Sequence, residues 1–395
     1  MKKMIFSVIL FICILSFSYS EDLPILVKLP EVKISSDGSV DFSLETSYKT
    51  DRLRIYFGIM EPDKKFPAPR YHTLLIQEDA KKKNLHTFNF KIDRFESSRR
   101  DAGLFKEKGY GIIYYQIVIP AYAGEDCIMG RFGFQKKAGG YERIPVIIEG
   151  PFVDQITETS AIISYEIDND KNHQSSLNID GKIYLSKGIK NEIKVEGLKP
   201  GKSYTYQIKI NDTPIDYTGK FTTDCGKPEF KFAVFCDSRG GYGYGMSMTG
   251  TSYGAVYNLM IRAAEKDISF AVFPGDMIDG YSDNVKKIHE EYATWKKAVE
   301  PIGGSIPVYE GVGNHEMVIK KIIKNKKEYE FNKDSPYSTE DIFASEFVNP
   351  LNGPDPKPGS PPFKETVYSF KYGSCTFIML NNCYNMGDFE TGDYH

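Results

Sequence analysis

The sequence predicts a multidomain chain: two N-terminal all-β sandwiches followed by an α/β unit. Three observations lead there. From about residue 21 to residue 225, apolar and polar residues alternate with a period of two in many short runs, the pattern of half-buried strands. After Asp224 the order becomes strand, loop, helix, and repeats, which is how layered α/β units are written. Tyrosine (27) and phenylalanine (26) are abundant against a single tryptophan, a bias toward strand formers.

Length and charge narrow the function classes. At about 150 residues per domain, 395 residues hold two or three units. Fifty basic against 53 acidic residues leave a net charge of −3, which excludes a protein built mainly to neutralise nucleic-acid phosphates. A hydrophobic content of 41% supplies packed cores and excludes wholesale disorder.

Residues 1–20 read as a signal peptide. Lys2 and Lys3 precede an uncharged, mostly apolar run from Met4 to Phe17, and Ser18-Tyr19-Ser20 sets small residues at −3 and −1 of a cut before Glu21. The alternative is a membrane anchor, but the run is shorter than the ~20 residues a spanning helix needs. An exported protein is expected, secreted or periplasmic, with no transmembrane anchor after cleavage. Five cysteines remain in it, Cys127, Cys225, Cys236, Cys375 and Cys383, with no CxxC spacing; their pairing stays open.

Residues 21–149 form the first predicted sandwich. Val40, Phe42 and Leu44 alternate with polar neighbours, as do Leu53, Ile55, Phe57 and Ile59, then Phe88, Phe90 and Ile92, then Ile113, Tyr115, Ile117 and Ile119. The charged stretch from Glu78 to Lys83 reads as a solvated loop. Nothing in this segment gathers catalytic residue types.

Residues 150–225 form the second. Ile163, Tyr165 and Ile167 alternate with Ser164 and Glu166, and Asp180-Gly181 signals a hairpin turn. Leu198-Lys199-Pro200-Gly201-Lys202-Ser203-Tyr204 then leads into an alternating strand. This resembles a fibronectin type III domain, in which such a turn carries a corner tyrosine; an unrelated small sandwich is the rival.

Residues 226–395 carry the chemistry. Phe230 to Cys236 is a short apolar run ending at Asp237. Ser252 to Lys266 reads as a helix, and Ile268 to Phe273 as a buried strand ending in Gly275-Asp276-Met277-Ile278-Asp279. A second amphipathic helix follows over Ser282 to Val299, then a strand from Ile306 to Val312 ending in Gly313-Asn314-His315-Glu316. Three successive strands thus deliver Asp237, Asp276 and Asn314-His315 at their C-terminal ends, where α/β folds bind ligands. Two carboxylates and an amide are hard oxygen donors suited to divalent or trivalent cations. Tyr368 to Asn381 reads as a further strand, turn and strand. Gly240 to Gly254, rich in Gly, Tyr and Ser, lacks Gly-Lys-Ser/Thr and is read as a loop at the mouth of the site, not a nucleotide P-loop. Pro350 to Pro362 reads as an irregular surface loop.

With blocks Asp237-Ser238-Arg239, Gly275-Asp276-Met277-Ile278-Asp279 and Gly313-Asn314-His315-Glu316 in this order, the segment resembles the calcineurin-like metallophosphoesterases. The preceding fibronectin-like segment is similar to the architecture of purple acid phosphatases. The resemblance implies an αββα four-layer fold and hydrolysis of a phosphate mono- or diester by a metal-activated hydroxide. It further implies two divalent or trivalent ions (Fe, Zn or Mn), with Asp237 on the first, Asp276 bridging and Asn314 on the second. His315 would face the substrate phosphate, as acid or transition-state stabiliser.

The sequence departs from that pattern in three places. Arg239 stands where many members have a metal-binding histidine; a guanidinium cannot ligate a cation, and is read as a phosphate contact. Asp279 stands where purple acid phosphatases have their iron-binding tyrosine, and Tyr281 lies two positions further along. The later lone histidine and Gly-His-x-His are absent up to His395, so a C-terminally incomplete phosphoesterase domain is expected. The alternative function is an exported, non-catalytic binding or surface protein with a degenerate site.

Overall fold

The computed structural model describes residues 26–60, 66–96, 104–121, 124–168, 173–211, 213–240, 249–323, 328–331, 337–356, 358 and 362–383. The predicted signal peptide, most of the Gly- and Tyr-rich loop and His395 lie outside them. No helix among the described residues is long and apolar enough to cross a membrane.

The alternating runs of the first segment become strands β1 (Leu26–Ile34), β2 (Ser39–Thr50), β3 (Arg54–Met60), β4 (Pro69–Gln77), β5 (Lys83–Lys91), β6 (Tyr110–Ala121), β7 (Gly124–Lys137) and β8 (Gly140–Ile144), with one helical turn, α1 (Phe105–Lys108). They form two antiparallel sheets, in the orders β1-β2-β5 and β4-β3-β6-β7-β8. Period two sends Val40, Phe42 and Leu44 of one sheet and Ile55, Phe57, Ile113 and Ile117 of the other into a single core. Residues 79–82 are exposed, as expected of a solvated loop, whereas Glu78 and His86 form a hydrogen-bonded pair at 2.6 Å with the histidine fully buried.

The second segment is a smaller sandwich of β9 (Ile147–Asp154), β10 (Ser160–Ile167), β11 (Gln174–Ile179), β12 (Lys182–Lys187), β13 (Lys190–Glu196), β14 (Ser203–Ile210) and β15 (Asp216–Thr222), in sheets β13-β10-β9 and β12-β11-β14-β15. Asp180 and Gly181 both adopt positive φ (51° and 81°), as a two-residue hairpin between β11 and β12 requires. The Tyr204 hydroxyl accepts a hydrogen bond from the Lys199 N–H at 2.8 Å, which pins the turn that opens β14.

In the third segment β16 (Phe232–Val234), β17 (Phe270–Phe273) and β18 (Val308–Glu310) form a parallel sheet in sequence order. Helices α2 (Tyr253–Ala264) and α3 (Val285–Gly303) make the crossovers. Alternation splits the sheet's side chains. Ala271, Phe273 and Val308 pack under α2 and α3 with Trp295, Tyr292 and Met260. Phe270 and Tyr309 point the other way, against the hairpin β21 (Tyr368–Tyr372) and β22 (Cys375–Met379), where Tyr309 and Phe370 stack at 3.6 Å. The layers are therefore helix, sheet, sheet. The expected four-layer αββα arrangement is met only in part, since no second helical layer occurs among the described residues. A hairpin of β19 (Ile319–Ile323) and β20 (Glu328–Phe331) and a helix α4 (Thr339–Glu346) go beyond the elements predicted from sequence. The α4 start is a capping box between Ser338 and Asp341, a readable signal.

Helix α3 also joins the three segments. Its Lys296 pairs with Glu149 of β9 at 2.5 Å and with Glu346 of α4. Its Glu300 pairs with Arg131 of β7, which also donates to the Gly150 carbonyl at 3.0 Å. Just past α3, the Gly304 carbonyl accepts from the Tyr206 hydroxyl at 2.9 Å.

Candidate active site

The three blocks converge at the C-terminal ends of β16, β17 and β18. Asp237 and Asp276 follow their strands in the left-handed region, with φ of 55° and 54°. Aspartate tolerates this better than most residues, at a cost of about 1–3 kcal/mol per strained position. Two glycines allow the loops to touch. A Cβ on Gly275 (φ 139°) would lie 2.2 Å from the Gly313 nitrogen, and one on Gly313 would lie 2.3 Å from Asp276 Oδ1.

Hydrogen bonds then tie the blocks together. The Arg239 N–H donates to the Asp276 carbonyl at 3.1 Å, and the His315 N–H donates to Asp276 Oδ1 at 3.1 Å. Glu316, buried beneath the loops, accepts from the N–H groups of Asp276 (2.9 Å), Met277 (2.6 Å) and Gly313 (2.7 Å). Burial pushes its carboxyl up to about 7, against the lowering effect of those three N–H groups.

His315 is buried while Asn314, Asp237 and Arg239 are exposed and Asp276 is half-buried. The His315 Nδ1 lies 2.6 Å from the Asp279 carbonyl, and Nε2 meets the Arg239 guanidinium. A carbonyl only accepts and a guanidinium only donates, which assigns the proton to Nδ1 and leaves Nε2 as an acceptor. Asp279 sits half-buried beside them; burial raises its carboxyl, opposed by Lys287, His315 and Arg239. The Cys236 thiol is raised chiefly by the adjacent Asp237 carboxylate.

Sequence reasoning missed Tyr281 as part of this site. Its ring packs on His315 with centroids 4.1 Å apart, its N–H donates to the His315 carbonyl at 3.1 Å, and its hydroxyl accepts from Asn314 Nδ2. With its amide nitrogen held in this way, the exposed Asn314 keeps Oδ1 for another partner. Glu316 was likewise quoted only as the end of its block. The signal for both was adjacency to Gly280 and to Asn314-His315, but the partners they choose follow from the fold.

The donor chemistry fits a hard cation. Asp276 Oδ2 and Asn314 Oδ1 accept no hydrogen bond among the described residues, and the Asp237 carboxylate has the Cys236 thiol as its neighbour. Three oxygen donors are thus available on three adjoining loops. Among the described residues no group of three or more His, Cys, Asp or Glu side chains comes together, so the fuller coordination of two ions that the resemblance implies is not assembled by them.

No family model matches the chain, and no curated protein matches it. A solved structure of PhoD aligns over 58% of this chain at 13% identity with a TM-score of 0.41. The chain spans about half of that structure, 51% of its length. A central fibronectin III array of RIM-binding protein aligns over 52% of this chain and 70% of its own, at 13% identity and a TM-score of 0.23. A two-domain fibronectin type III segment of chicken tenascin aligns over 50% and 98%, at 14% identity and 0.18. All three scores lie below 0.5, and the fold assignment rests on the strand orders and cores described above.

Proposed function

We propose that this chain is an exported metal-dependent phosphoesterase, acting on phosphate mono- or diesters. The observation that carries the reading is the convergence of Asp237, Asp276 and Asn314-His315 on adjoining loops at the ends of three consecutive parallel strands. Asp237, Asp276 and Asn314 would hold the metal through their free oxygens, with Glu316 and Tyr281 fixing the loops that present them. Bound metal ions would supply charge neutralisation of the phosphate and a nucleophile from water at neutral pH.

The remaining groups handle the substrate. Arg239 is exposed and presents a planar fork suited to two phosphate oxygens. A phosphate entering between Arg239 and His315 would take over the guanidinium from Nε2. His315, with its Nδ1 proton committed to the Asp279 carbonyl, then has Nε2 available to hold or pass a proton at the leaving oxygen. Asp279 and Lys287 provide the charges behind this pair.

A second reading, a phosphate-binding protein without turnover, is favoured by the Arg239–His315 contact, because a guanidinium and an imidazole already in contact form an anion pocket without any further chemistry. Hydrolysis of p-nitrophenyl phosphate and bis-p-nitrophenyl phosphate after loading with Mn²⁺, Zn²⁺ or Fe separates the two. Metal-dependent turnover that Asp276→Ala lowers by roughly 10³-fold or more supports the enzyme. Metal-independent turnover, or equal activity in the variant, rejects the site assignment. Phosphate binding with no turnover supports the second reading.

A further inference from the structure

The second sandwich meets the third segment around a partly open pocket whose walls include Asp154 at the end of β9, Glu310 at the end of β18, Trp295 of α3, and the apolar Phe152, Val308 and Phe347. Two polar atoms in this junction are buried without a hydrogen-bond partner among the described residues, Trp295 Nε1 and Asn349 Oδ1. A well-packed, permanently closed interface rarely leaves such groups orphaned, since each costs about 1–3 kcal/mol.

Asp154 and Glu310 line the same pocket, and each carboxyl lies within electrostatic reach of the others. Asp154 accepts from the Ser164 hydroxyl at 2.6 Å and pairs with no cation among the described residues. Around it stand Glu310, Glu365 ahead of β21, Glu192 of β13, and the phenols of Tyr206, Tyr309 and Tyr368. The one cation on the wall, Lys296, is already committed to Glu149 and Glu346. Burial, with the neighbouring carboxylates adding to it and hydrogen bonds from Ser164 and Asn349 opposing, pushes Asp154 up to about 7, Glu365 up to about 8 and Glu310 well above the ordinary range. The backbone carbonyl of Glu310 is meanwhile held by the Tyr368 hydroxyl at 2.7 Å, which ties Glu310 to the third segment.

We propose that Asp154 and Glu310, backed by Glu365, form a proton-operated clasp between the second sandwich and the third segment, closed while these carboxyls are neutral and released when they ionise. Separation returns them to water, where carboxyls ionise near pH 4. Between about pH 4 and the raised values the closed form therefore binds more protons than the open one, and raising the pH through that window favours release. Glu310 is followed directly by the segment Gly311 to His315, so release would also free the loop that carries Asn314.

The chain's single tryptophan is a built-in reporter, because Trp295 is fully buried in the clasp wall. The test follows the full chain from about pH 5 to about pH 9 by tryptophan emission, acrylamide quenching and far-UV circular dichroism. The expected result is a red shift and a several-fold rise in quenching as the pH rises, with the strand signal unchanged, and a flat response in the Asp154→Asn/Glu310→Gln variant. Should that variant not fold, Glu365→Gln alone is expected to move the transition to higher pH, and an unmoved transition would overturn the clasp. It is also overturned by a pH-independent emission in the unsubstituted chain, by a red shift retained in the folded double variant, or by a shift that coincides with loss of the strand signal.

Discussion

Asp276 is the residue on which the other site groups are built. Its backbone N–H is held by Glu316, its carbonyl accepts from Arg239, and its Oδ1 accepts from the His315 N–H. Only Oδ2 is left free for a ligand. Asn314 has the complementary problem, since an amide can present either its nitrogen or its oxygen outward, and the Tyr281 hydroxyl resolves it by accepting from Nδ2. In the Tyr281→Phe variant the ring still packs on His315 while the amide loses its orientation. Metal affinity measured by titration calorimetry should fall by about 10–100-fold, the usual cost of losing a group that orients a ligand, with little change in thermal stability. Unchanged affinity would remove Tyr281 from the site. The three blocks themselves were legible because each is a short run of polar residues and glycines after an apolar strand. Tyr281 and Glu316 were not, because their roles depend on which loop lies across from them.

The central strand of the site, β17, is packed on both faces, while β16 beside it is largely exposed. Phe270 of β17 is fully buried and meets Phe230, Phe232, Tyr309, Phe370, Tyr372 and Phe377 with ring centroids between 5.1 and 5.9 Å. Phe270→Ala should cost about 3–5 kcal/mol, read as a lower urea midpoint, and should loosen the Asp276 loop with it. A cost below about 1 kcal/mol would mean that the hairpin β21–β22 does not pack there. The reading of Ile268 to Phe273 as a buried strand matches β17, that of Tyr368 to Asn381 as strand, turn and strand matches the hairpin, and the spacing of Ala255, Leu259 and Ala263 marked α2. Leu259 is in fact half exposed, however, and the buried face is Val256, Met260 and Ala264, one residue along. The boundaries of β18 were predicted too long, over Ile306 to Val312, because Gly311 to Gly313 already belong to the site loop. Apolar residues there are needed for loop packing, and composition alone does not separate the two uses.

Across the whole molecule, buried acids set the pH dependence of stability. Asp154 and Glu316 are held at about 7 and Glu365 at about 8 in the folded chain, against about 4 when unfolded. The folded state therefore keeps protons that the unfolded state has lost, and stability falls as pH rises from about 4 toward 8. Glu346 works in the opposite sense: Lys296 and His289 overcome its burial and hold it at about 2, so its contribution is intact above about pH 4 and is lost only in stronger acid. The urea midpoint should accordingly be higher near pH 5 than near pH 8, and the difference should shrink in Asp154→Asn. A midpoint that rises over this range would contradict the assignment of neutral buried carboxyls. None of these acids was singled out from sequence, since the half-burial of Asp154 and Glu365 and the burial of Glu316 follow from the packed fold and not from local pattern.

The central claim is that Asp237, Asp276 and Asn314 hold metal. Its most direct test is the metal content of the purified chain, equilibrated with Mn²⁺ or Zn²⁺ and then dialysed, compared with that of a folded Asp276→Ala variant. At least one ion per chain is expected in the former and loss of that ion in the latter, with circular dichroism unchanged. Metal-free protein after loading, or equal metal content in the two, would contradict it.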